Sequence, residues 1–523
     1  MANRFKNKYK MRKYLILIAF FAALSCAGKT NPEGDGSTDS PDVPTETVKI
    51  TPDRVSVIKN PLSGWAMYVG RNWDDTFWNA QGYDSMQTSE GTTVKVSDYA
   101  TCAYLRTSWK NLEPREGEYV WKDANSSFSK LVSTLKARGL KMAFRVVVDG
   151  RDQGLNTPEY VFDAGAEYYT DGTHLTWKCP YPEDPVFQEK YAKFIRAFAE
   201  EFNDPDKTEF IDGFGLGKWG EGHTLVYKNN ANKAAVFDWI TSLYAQTFTK
   251  VPILMNYHCT VADTATDNKL KADTETLLNS CIEKGYSLRH DAFGMHSWYR
   301  SWERGFANLW NYKRPVIMEG GFIVNQHRYW IYPEDGYREG HPEDVRKGEY
   351  EQSGESRVNM MDLRTGGETA SWFGDAFDLV KKFCAEGGYR LYPDQITVPT
   401  EALHGAKVSI KHRWVNLGWG YCPTNIPQWN QKYKVAFALL SKADEKVVKV
   451  FPADDTDLSA WHKDKPVSYT TEITLTGFPA GQYIWAVALV DRTKDNEVGL
   501  RMSVKDSQLT TEGWTRIQNI IIK

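Results

Sequence analysis

The 523-residue sequence is poor in several features that would fix a function early. It has no C-x-x-C pair and no Cys/His spacing suited to zinc among its seven cysteines, Cys26, Cys102, Cys179, Cys259, Cys281, Cys384 and Cys422. Sparse, irregular cysteines exclude a disulfide framework, and most are expected free and buried. No glycine-rich nucleotide fingerprint follows a candidate strand, and no P-loop or serine nucleophile elbow is present. The acids Asp204 and Asp206, or Asp263 and Asp267, lack the Asp-x-Asp-x-Asp-Gly calcium pattern, so no metal or cofactor is expected. No internal repeat is evident. The longest apolar run, Tyr14–Leu24, is short for a bilayer span.

That run has a meaning of its own. Arg4, Lys6, Lys8, Lys10, Arg12 and Lys13 precede it, and Ala23-Leu-Ser-Cys26 follows in the manner of a bacterial lipobox. Residues 1–25 are expected to be a lipoprotein signal peptide with Cys26 lipidated. The alternative is plain cleavage near Ala27 and secretion. Losing that segment's six basic residues turns 64 basic and 67 acidic residues into 58 against 67, a net charge of −9. A nucleic-acid partner needs a basic footprint and is excluded; a neutral polymer is compatible. The expected location is the outer membrane or cell surface, with the lipid as the only membrane contact.

Residues 26–49 read as a flexible tether rich in Gly, Pro, Ser, Thr and Asp. Residues 50–398 alternate strand and helix. Candidate strands are Ser63–Val69, Thr101–Ser108, Lys141–Val148, Phe210–Leu216, Pro252–Tyr257, Ala292–Ser297, Pro315–Met318 and Thr369–Phe373. Helical periods fall between them, as in Tyr191–Phe202. The pattern predicts an α/β fold, a parallel (β/α)8 TIM barrel, over a doubly wound sheet. Residues 400–523 alternate apolar and polar residues between turn signals, which predicts an all-β sandwich. It is expected chiefly to pack on the barrel.

Two glutamates draw attention. Glu221, in Gly-Lys-Trp-Gly-Glu-Gly-His, follows the fourth candidate strand, and Glu319, in Arg-Pro-Val-Ile-Met-Glu-Gly-Gly-Phe, the seventh. In a parallel barrel the strand C-termini form one rim, where distant residues converge. Paired carboxyls there suit acid–base and nucleophilic work on a glycosidic bond. Either one alone would better fit a rim ion-pair partner; it is the pair at matched strands that points to catalysis. The aromatic content, 14% with 19 Trp and 28 Tyr, suits stacking on sugar rings as well as a ring-filled core.

The segment Thr107-Ser-Trp-Lys-Asn-Leu-Glu-Pro-Arg-Glu-Gly-Glu-Tyr-Val-Trp121 resembles clan A glycoside hydrolases, the retaining (β/α)8 barrels. Gly217–His223, with Gly388-Tyr-Arg-Leu-Tyr-Pro393, is similar to a bacterial barrel family catalogued as domain of unknown function 4832. The clan A resemblance implies Glu221 as acid/base and Glu319 as nucleophile. It also implies a platform Trp372 on strand 8, and aligns His296-Ser-Trp-Tyr299 with a His-x-Tyr region in which His296 or Tyr299 contacts Glu319. One departure is Gly220, where that clan usually carries the Asn that binds the sugar 2-hydroxyl. Arg106 is a candidate to hold the nucleophile ionised, or a barrel ion-pair partner. Asp149, His223 and His258 are candidates for sugar hydroxyls, and Trp109, Trp219 and Trp298 for stacking. Glu368 ranks third among the carboxylates. Long segments after strands 1, 3 and 7 (70–98, 149–190 and 320–362) are expected to wall the cleft. The expectation is a retaining glycoside hydrolase on a polysaccharide or oligosaccharide. The alternative is a non-catalytic glycan-binding lipoprotein on a barrel scaffold.

Overall fold

A computed structural model describes residues 43–69, 76–151, 154–257, 272–293, 299, 301–324 and 335–523. Cys26, Cys259, His258, His296 and Trp298 lie outside the described residues. Eight parallel strands close a barrel: β1 Gly64–Val69, β2 Ala100–Ser108, β3 Lys141–Val147, β4 Thr208–Asp212, β5 Ile253–Asn256, β6 Ser287–Phe293, β7 Val316–Gly320 and β8 Met360–Asp362. After β2 onward come helices α1 Ser127–Ala137, α2 Pro185–Phe202, α3 Lys233–Thr247, α4 Ala272–Glu283, α5 Ser301–Leu309, α6 Pro342–Glu355 and α7 Gly367–Glu386. Their starts follow from the sequence. Ser126 accepts from the Ser129 amide to cap α1, and Asp184 caps α2 with Pro185 in its first turn. Phe187, Tyr191, Phe194, Ile195, Phe198 and Phe202 then form the buried face of α2.

Besides the fourth strand, which is Thr208–Asp212 rather than Phe210–Leu216, two strands differ from expectation. The eighth is Met360–Asp362, and Thr369–Phe373 belongs to α7. The sixth begins at Ser287 rather than Ala292. Both true strands carry charge within a short apolar run, Asp362 in one and Arg289 and Asp291 in the other. Alternation along a strand sends those side chains to the barrel interior, where neighbouring strands neutralise them.

The interior is layered. Ala66, Cys102, Ala143, Phe210, Leu254, Ile317 and Met360 share one apolar cluster at its base with residues of the C-terminal β-region. Towards the strand C-termini the fill turns polar: Tyr104, Arg145, Asp212, Arg289, Glu319 and Asp362, all at most 3% exposed. Outward-facing strand residues pack with the helices in a second core.

The β-region comprises β9 Leu391–Pro399, β10 Lys407–Asn416, β11 Tyr433–Ser441, β12 Val447–Ala453, β13 Val467–Thr474, β14 Gly481–Asp491 and β15 Thr515–Ile522, in two antiparallel-rich sheets. The domain bounds differ from those expected. Thr45–Lys49 is not tether but a strand paired with β9, and β9 lies in this region rather than in the barrel. Hydrogen bonds tie the region to the barrel's N-terminal end: Asn60 Nδ2 to Arg501 O (2.9 Å), Asn359 Nδ2 to Tyr421 O (2.8 Å) and Trp419 Nε1 to Val358 O (3.0 Å). These residues precede β1 and β8, so the β-region closes the end opposite the glutamates. Cys102, Cys179, Cys281, Cys384 and Cys422 are free and buried.

Candidate active site

Glu319 is the penultimate residue of β7 and points into the polar layer. Glu221 arrives differently. β4 ends at Asp212, and residues 213–220 run on to a tight turn bridging Lys218 and His223. Left-handed backbone at Gly217, Trp219, Gly220 and Gly222 makes the turn, closed by Glu221 N–H to Lys218 O (3.2 Å) and Gly222 N–H to Leu216 O (2.9 Å). A Cβ at Gly220 would lie 3.2 Å from Arg145 Cδ and 3.3 Å from Val147 Cγ2, at φ +74°. An Asn there would need left-handed backbone, and the Arg145 stem and Val147 would have to give by a few tenths of an ångström.

Arg145, midway along β3, joins the two glutamates. Its Nη1 pairs with Glu221 Oε1, its Nη2 lies 3.1 Å from Glu319 Oε2, and its Nε donates to Asp212 Oδ2 at 2.8 Å. Arg289 Nη2 reaches Glu319 Oε2 at 2.8 Å, and Arg364 pairs through Nη1 with Glu319 Oε1 and through Nη2 with Asp291 Oδ1. Tyr104 O–H donates to Asp212 Oδ2 at 2.6 Å. Glu221, Asp291 and Glu319 each present a carboxylate oxygen within 4.8 Å of the others. That spacing would suit a divalent cation, but the guanidiniums of Arg145 and Arg364 already supply positive charge there.

These contacts set the ionisation. Burial pushes Glu319 up, yet Arg364, Arg145 and Arg289 hold it far below the usual carboxylate range. Burial opposes Glu221 too, but Arg145 and the neighbouring His223, whose Nε2 is 3.3 Å from Oε2, bring it down to about 2. Asp291 goes the other way. Burial raises it to about 6, with Arg364 opposing and Glu221 and Glu319 adding repulsion. Burial likewise lifts Asp362 to about 7.

The remaining candidates divide. His223 borders Glu221, and Trp219, half-buried, stands beside His223 at a ring separation of 4.9 Å. Arg106 lies in the field of both glutamates, but among the described residues it makes no direct ion pair to either; Arg145, Arg289 and Arg364 take that position instead. Asp149 is committed to Arg151 (3.0 Å) and Tyr169 (3.1 Å), and Arg151 reaches on to Thr224 Oγ1 at 3.1 Å, tying this loop to the Glu221 turn. Trp109 is fully buried among Tyr191, Phe194 and Tyr160. Its indole N–H donates to Glu113 Oε2 at 2.7 Å, and Glu113 also accepts from Tyr160 O–H and Gly117 N–H, both at 2.8 Å. The Trp-x-x-Leu-Glu-Pro segment is therefore a clamp in the wall and carries no stacking surface. Tyr299 bonds Ser356 and packs on His290 and Phe293, not on Glu319. Trp372, on α7 and 1% exposed, meets Trp65 edge-on at 4.8 Å under the Arg346 guanidinium. It is core, not a platform. Glu368 pairs with Arg346 at 2.7 Å behind the barrel wall.

Asp212, Arg145, Arg289, Asp291, Asp362 and Arg364 were not singled out from sequence. One signal was available: the short run Val358-Asn-Met-Met-Asp-Leu363 before Arg364 reads as a buried strand end.

No protein-family model matches the chain, and no curated protein matches it. Among solved structures it is similar to an endo-β-1,4-mannanase from Thermotoga petrophila, at 10% identity over 89% of this chain and 98% of that one, with a TM-score of 0.38. An endo-glycoceramidase II from Rhodococcus sp. aligns at 13% identity over 82% and 100%, TM-score 0.33. Xylanase 10B from Thermotoga petrophila RKU-1 aligns at 10% over 58% and 82%, TM-score 0.32.

Proposed function

We propose that the barrel mouth hydrolyses a glycosidic bond of a poly- or oligosaccharide with retention of configuration. The observation that carries this reading is the approach of Glu221 and Glu319 oxygens to within 4.8 Å at the strand C-terminal end of a closed parallel barrel. Retaining pairs stand roughly 5–5.5 Å apart, inverting pairs roughly 6.5–9.5 Å. Glu319, held ionised by three arginines, attacks the anomeric carbon. The glycosidic C–O bond breaks, and the leaving oxygen takes a proton from Glu221. Water then attacks the glycosyl ester, Glu221 takes its proton, and Glu319 leaves as carboxylate. Trp219 and His223 border the bound sugar.

The test is a screen of plant, algal and host glycans with purified protein, read by product chromatography. Glu221→Gln and Glu319→Gln are expected to lose activity by at least about 100-fold. Azide is expected to rescue Glu319→Ala with a glycosyl azide of inverted configuration. Binding without turnover, unchanged in Glu221→Gln, would establish the second reading, a glycan-binding protein. One observation favours that reading: Arg145 and His223 keep Glu221 ionised in the unliganded site.

We also propose that Cys26 anchors the chain by lipid on the outer membrane. Metabolic labelling with an alkyne fatty acid should mark the wild type, and Cys26→Ser should abolish the mark.

A further inference from the structure

Arg106 differs from the other arginines at the barrel mouth. Arg145, Arg289 and Arg364 are at most 2% exposed, and each is bound to interior carboxylates. Arg151 is bound to Asp149. Arg106, two residues before the end of β2, is half-buried, and among the described residues its guanidinium makes no ion pair and no hydrogen bond. Its register partner on β3 is Arg145, so it faces inward at the same level, where the charges of Glu221 and Glu319 both act on it. A second donor stands beside it. The guanidinium carbon lies 6.0 Å from the centre of the Tyr68 ring. Tyr68, on β1, is 4% exposed, and among the described residues its hydroxyl has no hydrogen-bond partner. Tyr104, its register partner on β2, gives its own hydroxyl to Asp212.

Two neighbouring donors without an acceptor are costly to keep. A buried polar group left unsatisfied forfeits its hydration, and a charged one forfeits more. A rigid fork of N–H donors next to an O–H suits an acceptor that arrives from outside the protein. A sugar hydroxyl accepts too, yet only an oxyanion also brings an opposite charge into direct contact. We propose that Arg106 is a specificity residue of this site: its guanidinium, with the Tyr68 hydroxyl beside it, grips an oxyanion carried by the sugar seated at the two glutamates, a uronate carboxylate or a sulfate ester, so the glycan is an acidic one. The proposal deepens the hydrolase reading above and rests on it for the position of that sugar. Both oxyanions offer paired oxygens that match the guanidinium fork. Arg145, Arg289 and Arg364 hold Glu319 and, through Arg145, Glu221, which leaves Arg106 to recognition. The chain's net charge of −3 gives acidic glycans no general attraction, so a preference for them reports a local contact.

The experiment is calorimetric titration of the purified protein with oligogalacturonides, alginate oligomers and carrageenan oligosaccharides, each beside its carboxyl-reduced or desulfated counterpart. The wild type is expected to bind at least one acidic member about 100-fold more tightly than its neutral counterpart. Loss on carboxyl reduction identifies a uronate, and loss on desulfation a sulfate. Arg106→Gln should abolish the preference while affinity for the neutral counterpart stays within about threefold. Arg106→Lys, a charge without the fork, should keep part of it. Tyr68→Phe should lower it by about 3–10-fold, and an unchanged preference there removes Tyr68 from the site. Because the guanidinium pairs with no described protein group, Arg106→Gln is expected to melt within about 2 °C of wild type, which an arginine needed for folding would not allow. Failure to bind any of these acids, equal affinity for acid and neutral forms, or a preference that survives in Arg106→Gln overturns the proposal and leaves the hydrolase reading standing. Turnover of no glycan, with no capture of Glu319 by an activated fluoroglycoside, overturns the hydrolase reading instead, and the affinity comparison still decides whether Arg106 grips an acid.

Discussion

Arg145 decides more at this site than either glutamate alone. A guanidinium offers five donors in a rigid fork, and here they reach Asp212, Glu221 and Glu319 from inside the barrel. Burying it is worthwhile only because those carboxylates are buried with it; removing one side strands the other. Arg145→Met is therefore expected to destabilise the fold by about 3–5 kcal/mol near neutral pH, measured by urea unfolding. The pH dependence has a definite sign. In the wild type the folded pKa of Glu221 lies below its unfolded value of 4.5, so this carboxylate's contribution is present above that value and is lost as pH falls towards about 2. Without Arg145, burial of Glu221 is unopposed by that cation and favours its protonated form. The gap between wild type and variant should then be wide at pH 7 and narrow towards pH 4. An equal gap at both values would show that Arg145 contributes packing rather than charge.

At the scale of elements, the same residue type does opposite work according to what carries it. Trp372 sits on α7 with 1% exposure, wedged against Trp65, whereas Trp219 sits on the left-handed turn that presents Glu221. Trp372→Ala is expected to cost about 3–5 kcal/mol of stability, read by thermal or urea unfolding, and to leave glycan affinity of the folded fraction unchanged. Trp219→Ala should do the reverse, weakening oligosaccharide binding by about tenfold in calorimetry with little change in melting temperature. Periodicity made most strands and helices legible: five of the eight expected barrel strands begin within one residue of their observed starts. The sixth and eighth were displaced because an inward-facing Arg or Asp reads as a loop residue until the facing strand's counter-charge is known. Trp372 was misplaced with the eighth strand, since an apolar Thr-Ala-Ser-Trp-Phe run fits a buried strand and a buried helix equally.

Across the whole molecule the β-region caps the barrel's N-terminal end, so its stability supports the site without bordering it. Its core holds a titratable group that makes this testable. His412 on β10 accepts from Trp414 Nε1–H at Nδ1 (2.7 Å) and bonds Thr471 through Nε2 (2.9 Å), an arrangement that requires the neutral ring. Burial lowers it from 6.5 to about 4. Between those values the unfolded chain binds a proton that the folded one refuses, so stability is lost as pH falls through this window, by up to about 3 kcal/mol. Denaturant unfolding from pH 7 to pH 4 should show that loss, and His412→Phe should abolish most of its pH dependence. A loss unchanged in the variant would place the acid sensitivity elsewhere, in the barrel's carboxylates.

Sequence by itself determined the alternation of strand and helix, the all-β tail, and the two glutamates after the fourth and seventh strands. Each is local: a period, a turn residue, a motif read along one stretch of chain. Only the tertiary structure decided which charges meet. The partners of Glu221 and Glu319 come from β3, β6 and the segment after β8, and an arginine's worth depends on acids brought to it by barrel closure. The same closure made Trp109 and Trp372 wall rather than cleft, because whether a ring faces sugar or helix depends on what packs over it.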